Sequence, residues 1–351
     1  MMVLVFWQKM ISMHQAYYLK ILAQTNRVIL AVEDELHDDR KLQGWKVPEM
    51  GNVEIVMVQS KKDAQNLIDN TKNFLHIFGG IKGGEIHDFA LNTVIKQQKI
   101  GVIAESAIQL GYKTFFKKWY YRYLCFKYRK NISFILAMGK IGVNWYKSCG
   151  FDPKIIHQFQ YFTELPNDHV FINRESSDKI RFTYVGQLIH RKGVDTLIKA
   201  IEKVKNKNWH LNIIGSGVLE QQLKTEIAHH NLTDNVSFLG NKKNEEIVSF
   251  LESHSDYLIL PSRFDGWGAV VNESLSVGTP VLVSENCGAS SLIINDELGY
   301  VFKLKEKEIT ALLEKIVENK IVKNQEKIKE IYNREFTNKK VIQLIEFLNK
   351  R

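Results

Sequence analysis

Two acids and two bases are the residues of this sequence best placed to do chemistry. Asp265 and Glu273 stand eight positions apart in Pro-Ser-Arg-Phe-Asp-Gly-Trp-Gly-Ala-Val-Val-Asn-Glu (261–273), with Gly266, Trp267 and Gly268 between them. Upstream, Arg191 and Lys192 precede Gly193 and an apolar helical pattern that begins at Val194. Cations fixed just before a helix N-terminus, beside N–H groups that no helical carbonyl satisfies, suit a diphosphate. They would hold the negative charge that develops on a departing phosphate. The bland readings stand beside these: a basic pair before a helix is also a solvated face, and an acid pair also a helix cap.

The elements around the four residues form a regular series. An apolar run (Tyr257 to Leu260) ends in a loop punctuated by Pro261, Gly266 and Gly268; a short helical stretch carries Glu273, Gly278 stops it, and Pro280 to Val283 reads as a buried strand. Ile180 to Val185, His210 to Ile214, Val236 to Gly240 and Gly299 to Phe302 repeat the pattern. Gly186-Gln187 follows the first of these, Gly215-Ser216-Gly217 the second and Asn241-Lys242 the third. In the first half, Val3 to Trp7, Val28 to Val32, Val53 to Val58, Leu75 to Phe78, Gly101 to Ala104, Phe134 to Met138 and Ile155 to Phe159 are short apolar runs between helix-like segments. Such alternation predicts α/β architecture with parallel sheets. Ligands of these sheets meet the loops at the carboxyl ends of the strands. Glu220 stands where a dinucleotide fingerprint needs its third glycine, which argues against a dehydrogenase.

Three first-half loops are singled out by the same rule. The loop Gln8 to Gln15 holds His14. Leu75 to Gly84, the most glycine-dense stretch, puts Gly79 and Gly80 after a strand, where backbone must come close to something. Glu105 ends the following strand. His76, two positions before the end of its strand, reads as a packed residue, with a catalytic role as the alternative.

The 351 residues allow two domains, and a net charge of +9 favours an anionic partner. That charge is concentrated in Tyr112 to Lys130, which holds seven bases, nine aromatics and no acid, with Phe115, Trp119, Arg122 or Tyr123, and Phe126 at helical spacing. An anionic membrane surface, stacked nucleic-acid bases, or a core on which lysines merely snorkel would each suit this mixture; a nucleic-acid partner is the least expected. Cys125, Cys149 and Cys287 have no metal-ligand spacing and read as reduced structural thiols. No segment approaches the length of a membrane span, and Met1 to Trp7 reads as a strand instead of a signal, so a cytoplasmic protein is expected.

The stretch 258–283, together with the run 180–193, resembles the donor site of retaining family-4 glycosyltransferases of the GT-B fold, the glycosyl transferases group 1. The resemblance implies two facing Rossmann-like domains, an acceptor-side one at 1–165 and a nucleotide-sugar-binding one at 178–335, joined by the polar stretch 164–179. It also implies that a C-terminal helix (338–351, with Val341, Ile342, Leu344, Ile345 and Leu348 as its stripe) rejoins the first domain. In that family's terms Asp265, in place of the usual glutamate, faces the donor sugar, Glu273 binds the ribose hydroxyls, and Arg191 and Lys192 hold the diphosphate. Gly186, Gln187, Gly215, Gly217, Asn241, Lys242, Gly266, Trp267 and Gly268 line the donor, and His14, Gly79, Gly80 and Glu105 face the acceptor. The departing phosphate oxygen takes the acceptor proton, so no protein base, metal or other cofactor is required. The implied activity is transfer of a hexose from a UDP- or GDP-sugar to a saccharide, polyprenyl-linked at the inner face of a bacterial membrane, in polysaccharide or O-antigen assembly. A non-catalytic nucleotide-sugar binder and an epimerase of the same fold are the rival readings. This chain departs from the family in lacking glycine in the loop 8–15, in carrying Phe78 where relatives have histidine, and in Tyr161-Phe162 where they have Asn-Gly.

Overall fold

The computed structural model of the chain describes residues 2–36, 46–163, 174 and 177–350. It divides into two compact units, Met1–Glu164 with Thr337–Arg351, and Leu165–Phe336. The linker expected at 164–179 falls mostly outside the described residues.

The first unit is built on β1 (Val3–Met10), β2 (Arg27–Asp34), β3 (Glu54–Met57), β4 (Leu75–Phe78), β5 (Ile100–Ala104), β6 (Ile132–Met138) and β7 (Ile156–Phe159). They lie parallel in the order β3-β2-β1-β4-β5-β6-β7. Leu4, Val5, Phe6 and Trp7 are consecutive and all buried, as a parallel strand covered on both faces requires. The helices are α1 (Met13–Leu22), α2 (Lys61–Asn70), α3 (Glu85–Val94), α4 (Lys113–Tyr128) and α5 (Gly139–Ser148). Contrary to the loop expected from Gln8, β1 continues to Met10, where it still pairs with Asp34 of the long neighbour β2. His14 therefore sits in the first turn of α1.

The second unit carries β8 (Ile180–Val185), β9 (Trp209–Ile214), β10 (Val236–Gly240), β11 (Tyr257–Leu260), β12 (Val281–Ser284) and β13 (Gly299–Phe302), in the parallel order β10-β9-β8-β11-β12-β13. Its helices are α6 (Val194–Glu202), α7 (Glu220–His229), α8 (Asn244–His254), α9 (Val270–Ser276), α10 (Glu306–Glu318) and α11 (Gln325–Tyr332). The last helix, α12 (Lys339–Asn349), belongs to the first unit. There Phe347 meets Phe134 of β6 and His157 of β7, at centroid distances of 5.1 and 4.7 Å. Val341, Leu344 and Leu348 are buried, whereas Ile342 of the expected stripe faces solvent.

The aromatic helix buries a face other than the stripe that recurs at helical spacing. Leu124, Cys125 and Tyr128 turn inward, and Tyr121 packs edge-on against Trp145 of α5 at 5.2 Å. Phe115, Trp119, Tyr123 and Phe126 stay outside, with Trp119 60% and Phe126 75% exposed. The core-helix reading of that stripe is thereby overturned. All three cysteines are free and buried.

His76 is a core residue. Trp7 donates its indole N–H to His76 Nδ1 at 2.9 Å, and His76 Nε2 lies 3.1 Å from the Thr71 carbonyl. That arrangement suits a neutral ring protonated on Nε2. Burial lowers its pKa, and the Thr71 contact only partly opposes the shift. A histidine with a depressed folded pKa supplies stability above its ordinary value of 6.5 and loses it as the pH falls through the folded value. Melting temperature is thus expected to begin falling below pH 6.5, before the carboxylates titrate. In His76→Asn this early decline should be flattened, with about 1–3 kcal/mol lost at neutral pH.

Candidate active site

In the second sheet the chain turns outward from β8 in both directions, to β9 on one side and β11 on the other. A strand order that diverges in this way leaves a crevice at the carboxyl ends of the two central strands. The loops that flank it are 186–193 after β8 and 261–268 after β11. Sequence reading put its cations on one and its first acid on the other, and the fold joins them: Lys192 Nζ lies 2.5 Å from Asp265 Oδ2, both side chains being less than one-fifth exposed. Beside them, Arg191 donates from Nη1 to the Phe264 carbonyl at 3.2 Å and accepts the Arg263 N–H at its own carbonyl, 2.9 Å away.

Two residues that sequence reading missed lock these loops together. Arg263 donates to both oxygens of Asp195 at 2.6 and 2.8 Å, to Thr196 Oγ1 at 2.8 Å and to the His190 carbonyl at 2.7 Å. Partial desolvation pushes the Asp195 carboxyl up, but the Arg263 bonds outweigh it and hold the group below its ordinary value. Backbone contact is equally close. Gly193 has φ +70°, and a Cβ there would stand 1.9 Å from the Pro261 carbonyl oxygen. On the other flank a Cβ on Gly215 would stand 2.0 Å from the Gly186 oxygen, so these loops also abut backbone to backbone. The Leu188 N–H to Ser216 carbonyl bond (2.9 Å) closes the same junction, next to Gly217. Gln187 is exposed, while its carbonyl accepts the buried Tyr184 hydroxyl at 2.8 Å.

Glu273 lies in the first turn of α9 and is 7% exposed. Its Oε1 accepts from Asn244 Nδ2 at 2.9 Å, which brings the loop of Asn241 and Lys242 alongside it. Burial raises the Glu273 pKa, and Asn244 opposes this in part. A carboxylate that is costly to ionise in the folded chain gains from hydroxyl donors supplied by a ligand. Trp267 offers no ring to a donor: it is 1% exposed, and its indole N–H is bonded to Asn272 Oδ1 at 2.7 Å. Its carbonyl accepts from Cys287 Sγ at 2.7 Å and the Ala289 N–H at 2.8 Å, so it fixes the 266–268 backbone from below. Burial, and then the Asp265 charge, push the Cys287 thiol far up, so it stays an unreactive S–H donor. The donor-side candidates thus occupy the rims of β8, β9, β10 and β11, with Lys192, Arg191 and Asp265 in one bonded group and Glu273 in another.

The acceptor-side candidates lie in the first unit, again at carboxyl ends. Gly79 and Gly80 follow β4, the Gly79 N–H bonded to the Trp7 carbonyl at 2.8 Å. His14 stacks on Tyr161 (5.5 Å between centroids), and the Tyr161 hydroxyl donates to Glu105 Oε1 at 2.8 Å. Tyr161, noted in the sequence only as a departure from Asn-Gly, is what connects them.

Two parallel-sheet α/β units are the architecture of the GT-B fold. Over the whole chain the fold matches Anabaena HepE, solved with UDP and glucose, at TM-score 0.70 and 15% identity, covering 100% of both chains. It likewise matches the lipopolysaccharide outer core galactosyltransferase WaaB at TM-score 0.73 and 13% identity, covering 99% of this chain and 100% of that one. Residues 167–334, nearly the whole of the second unit, match the family described as glycosyl transferases group 1. An uncharacterized glycosyltransferase of Methanocaldococcus jannaschii is 33% identical over 144 residues (41% of this chain, 38% of that protein). The amylovoran biosynthesis glycosyltransferase AmsK of Erwinia amylovora is 35% identical over 130 residues (35% of this chain, 32% of that protein). The similarity thus spans about a third of these relatives' own length.

Removing one member of the Lys192–Asp265 pair strands the other charge in a poorly solvated loop. Lys192→Ala should cost about 3–5 kcal/mol of stability, and turnover should fall about 10²–10³-fold. The double variant Lys192→Ala/Asp265→Asn should regain most of the stability and none of the turnover, as read by denaturant unfolding and a transfer assay. For Glu273 the sign is opposite to that of a paired acid. Its raised pKa makes the folded chain hold a proton to higher pH than the unfolded one, so stability declines as pH rises from 4.5 through the folded value and the penalty persists at neutral pH. Glu273→Gln should therefore melt higher than the native chain at neutral pH, with the gap closing below pH 4.5.

Proposed function

We propose that the chain is a retaining glycosyltransferase that moves a hexose from a nucleotide-diphosphate sugar, UDP- or GDP-linked, to a saccharide acceptor. The observation that carries this reading is the Lys192–Asp265 pair at the switch point of the second sheet, with Arg191 beside it. A sugar diphosphate lying there meets two cations that neutralise the leaving group as its bond to the sugar lengthens. Asp265 faces the sugar, and Glu273 accepts the ribose hydroxyls, which relieve its desolvation. As the diphosphate leaves, its oxygen takes the proton of the incoming acceptor hydroxyl on the same face, so the configuration is retained. HepE, a fold relative solved with UDP and glucose, fits a uridine donor.

The acceptor we propose is a lipid-linked saccharide at the cytoplasmic face of the membrane, in surface polysaccharide assembly. AmsK and WaaB are named for amylovoran and for the lipopolysaccharide outer core. Helix α4 supports a membrane surface: its exposed face carries Phe115, Phe116, Trp119, Tyr123 and Phe126 among lysines, with no acid. Exposed rings at headgroup depth and cationic side chains on anionic lipid are the two elements of interfacial binding. Among the described residues no helix is long and apolar enough to cross a membrane.

A panel of UDP-, GDP- and other nucleotide sugars is expected to contain one that raises the melting temperature by several degrees, because a native-state ligand stabilises by mass action. With that donor, labelled in the sugar, transfer to membrane extract should follow. Binding without transfer would mark a non-catalytic binder, and a new nucleotide sugar formed from donor alone would mark an epimerase. Co-sedimentation with anionic liposomes at low salt should be strong and should fall about tenfold or more in Trp119→Ser/Phe126→Ser. No binding at low salt would remove the membrane part of the reading.

A further inference from the structure

Arg191 and Lys192 are neighbours in the chain, yet the fold treats their charges differently. Lys192 is bonded to Asp265 Oδ2 at 2.5 Å. Arg191 donates from Nη1 to the Phe264 carbonyl and forms an ion pair with no carboxylate among the described residues. The two members of the Lys192–Asp265 pair also differ in freedom. Asp265 is pinned twice through its backbone: its N–H donates to the Asn286 carbonyl at 3.0 Å, and its carbonyl accepts the Gly288 N–H at 3.1 Å, making a parallel bridge to Cys287. The two segments touch, since a Cβ on Gly288 would stand 2.2 Å from the Gly266 carbonyl oxygen. A carboxylate on so short a side chain, with its backbone fixed, cannot follow a partner away. Lys192 ends the single helical turn His190–Lys192 and carries its ammonium on a long flexible stem, so it is the member that can move.

We infer that Asp265 drives product release: it competes with a bare nucleoside diphosphate for Lys192, so the site holds the nucleotide sugar in preference to the nucleotide left after transfer. This inference rests on the transferase reading above and assigns the regulation of its donor site. While the sugar is attached, its hydroxyls donate to the carboxylate, and Asp265 stays satisfied as Lys192 turns to the diphosphate. Transfer removes those donors. Once the proton taken from the acceptor passes to water, the terminal phosphate carries about one further negative charge. Asp265 is then a fixed anion beside the lysine that the phosphate shares. It draws Lys192 back and repels the phosphate, while Arg191 keeps its hold throughout. Two cations without this carboxylate would have the opposite preference and bind the more highly charged product better.

The test measures binding of UDP and GDP to the full chain by titration calorimetry at low salt. Asp265→Asn, close in shape but uncharged, should bind whichever nucleotide the native chain takes about tenfold to a hundredfold more tightly. That is the effect of removing one unit charge about 6 Å away in a partly screened site. Asp265→Ser should act in the same way and serves if the first variant does not fold. Asp265→Glu keeps the charge and should show no such gain. In a Lys192→Ala background the Asp265→Asn change should gain much less, because the competition is gone. Neither uncharged variant should gain affinity for the nucleotide sugar that the melting panel selects. The inference is overturned if the uncharged variants bind the nucleotide no more tightly than the native chain, if they gain equally for the nucleotide sugar, or if the gain is as large without Lys192. A native chain that binds neither UDP nor GDP would instead count against the transferase reading itself.

Discussion

A lysine and an aspartate bonded across the carboxyl end of a parallel sheet govern the second unit. Lys192 and Asp265 lie on loops 73 positions apart that leave different strands, and neither charge is well solvated. Such a pair persists only if the surrounding structure fixes both partners, because the attraction must offset the desolvation of each. Arg263 and Asp195 do that fixing, with Gly193 allowing the two backbones to touch. Everything proposed for the donor follows from it. A lysine already drawn to the mouth of the crevice can be shared with a diphosphate at little cost in reorganisation, and an aspartate at its side is placed at the sugar end.

Beneath this pair the architecture is conservative. Trp267 and Cys287 fill the space under the 266–268 turn, so the loop is supported by a buried ring and a thiol donor. The acid at Glu273 depends on Asn244 from the opening of α8, which couples the third donor-side loop to the fourth. In the first unit the aromatic packing of Tyr18 with Phe159 and Phe162 brings the Tyr161 hydroxyl to Glu105. The two units thus use one topological rule, side chains presented where parallel strands end.

Much of this was legible in the sequence. The apolar runs Leu75 to Phe78, Val236 to Gly240, Tyr257 to Leu260 and Gly299 to Phe302 coincide with strands, because short β-branched and leucine-rich segments between turn residues leave little choice of structure. The proximity of Lys192 to Asp265 followed from family likeness and topology, not from spacing. Pairings such as Arg263 with Asp195 and Asn244 with Glu273 were not legible, since they join loops whose relation only the folded sheet defines. Family likeness placed Trp267 along the donor, whereas its ring turns inward. The stripe of α4 was legible but its surroundings were not: aromatic periodicity marks an apolar stripe without saying whether protein or solvent lies against it, and Tyr121, Leu124 and Tyr128 supply the inward contacts.

The central claim is that the donor is gripped at the switch point of the second sheet, and amide hydrogen exchange with and without UDP or GDP tests it most directly. The account predicts slowed exchange at residues 186–193, 215–217 and 265–273 in the presence of the nucleotide that binds. Protection confined to other parts of the chain, with these loops exchanging as fast as in its absence, would contradict it.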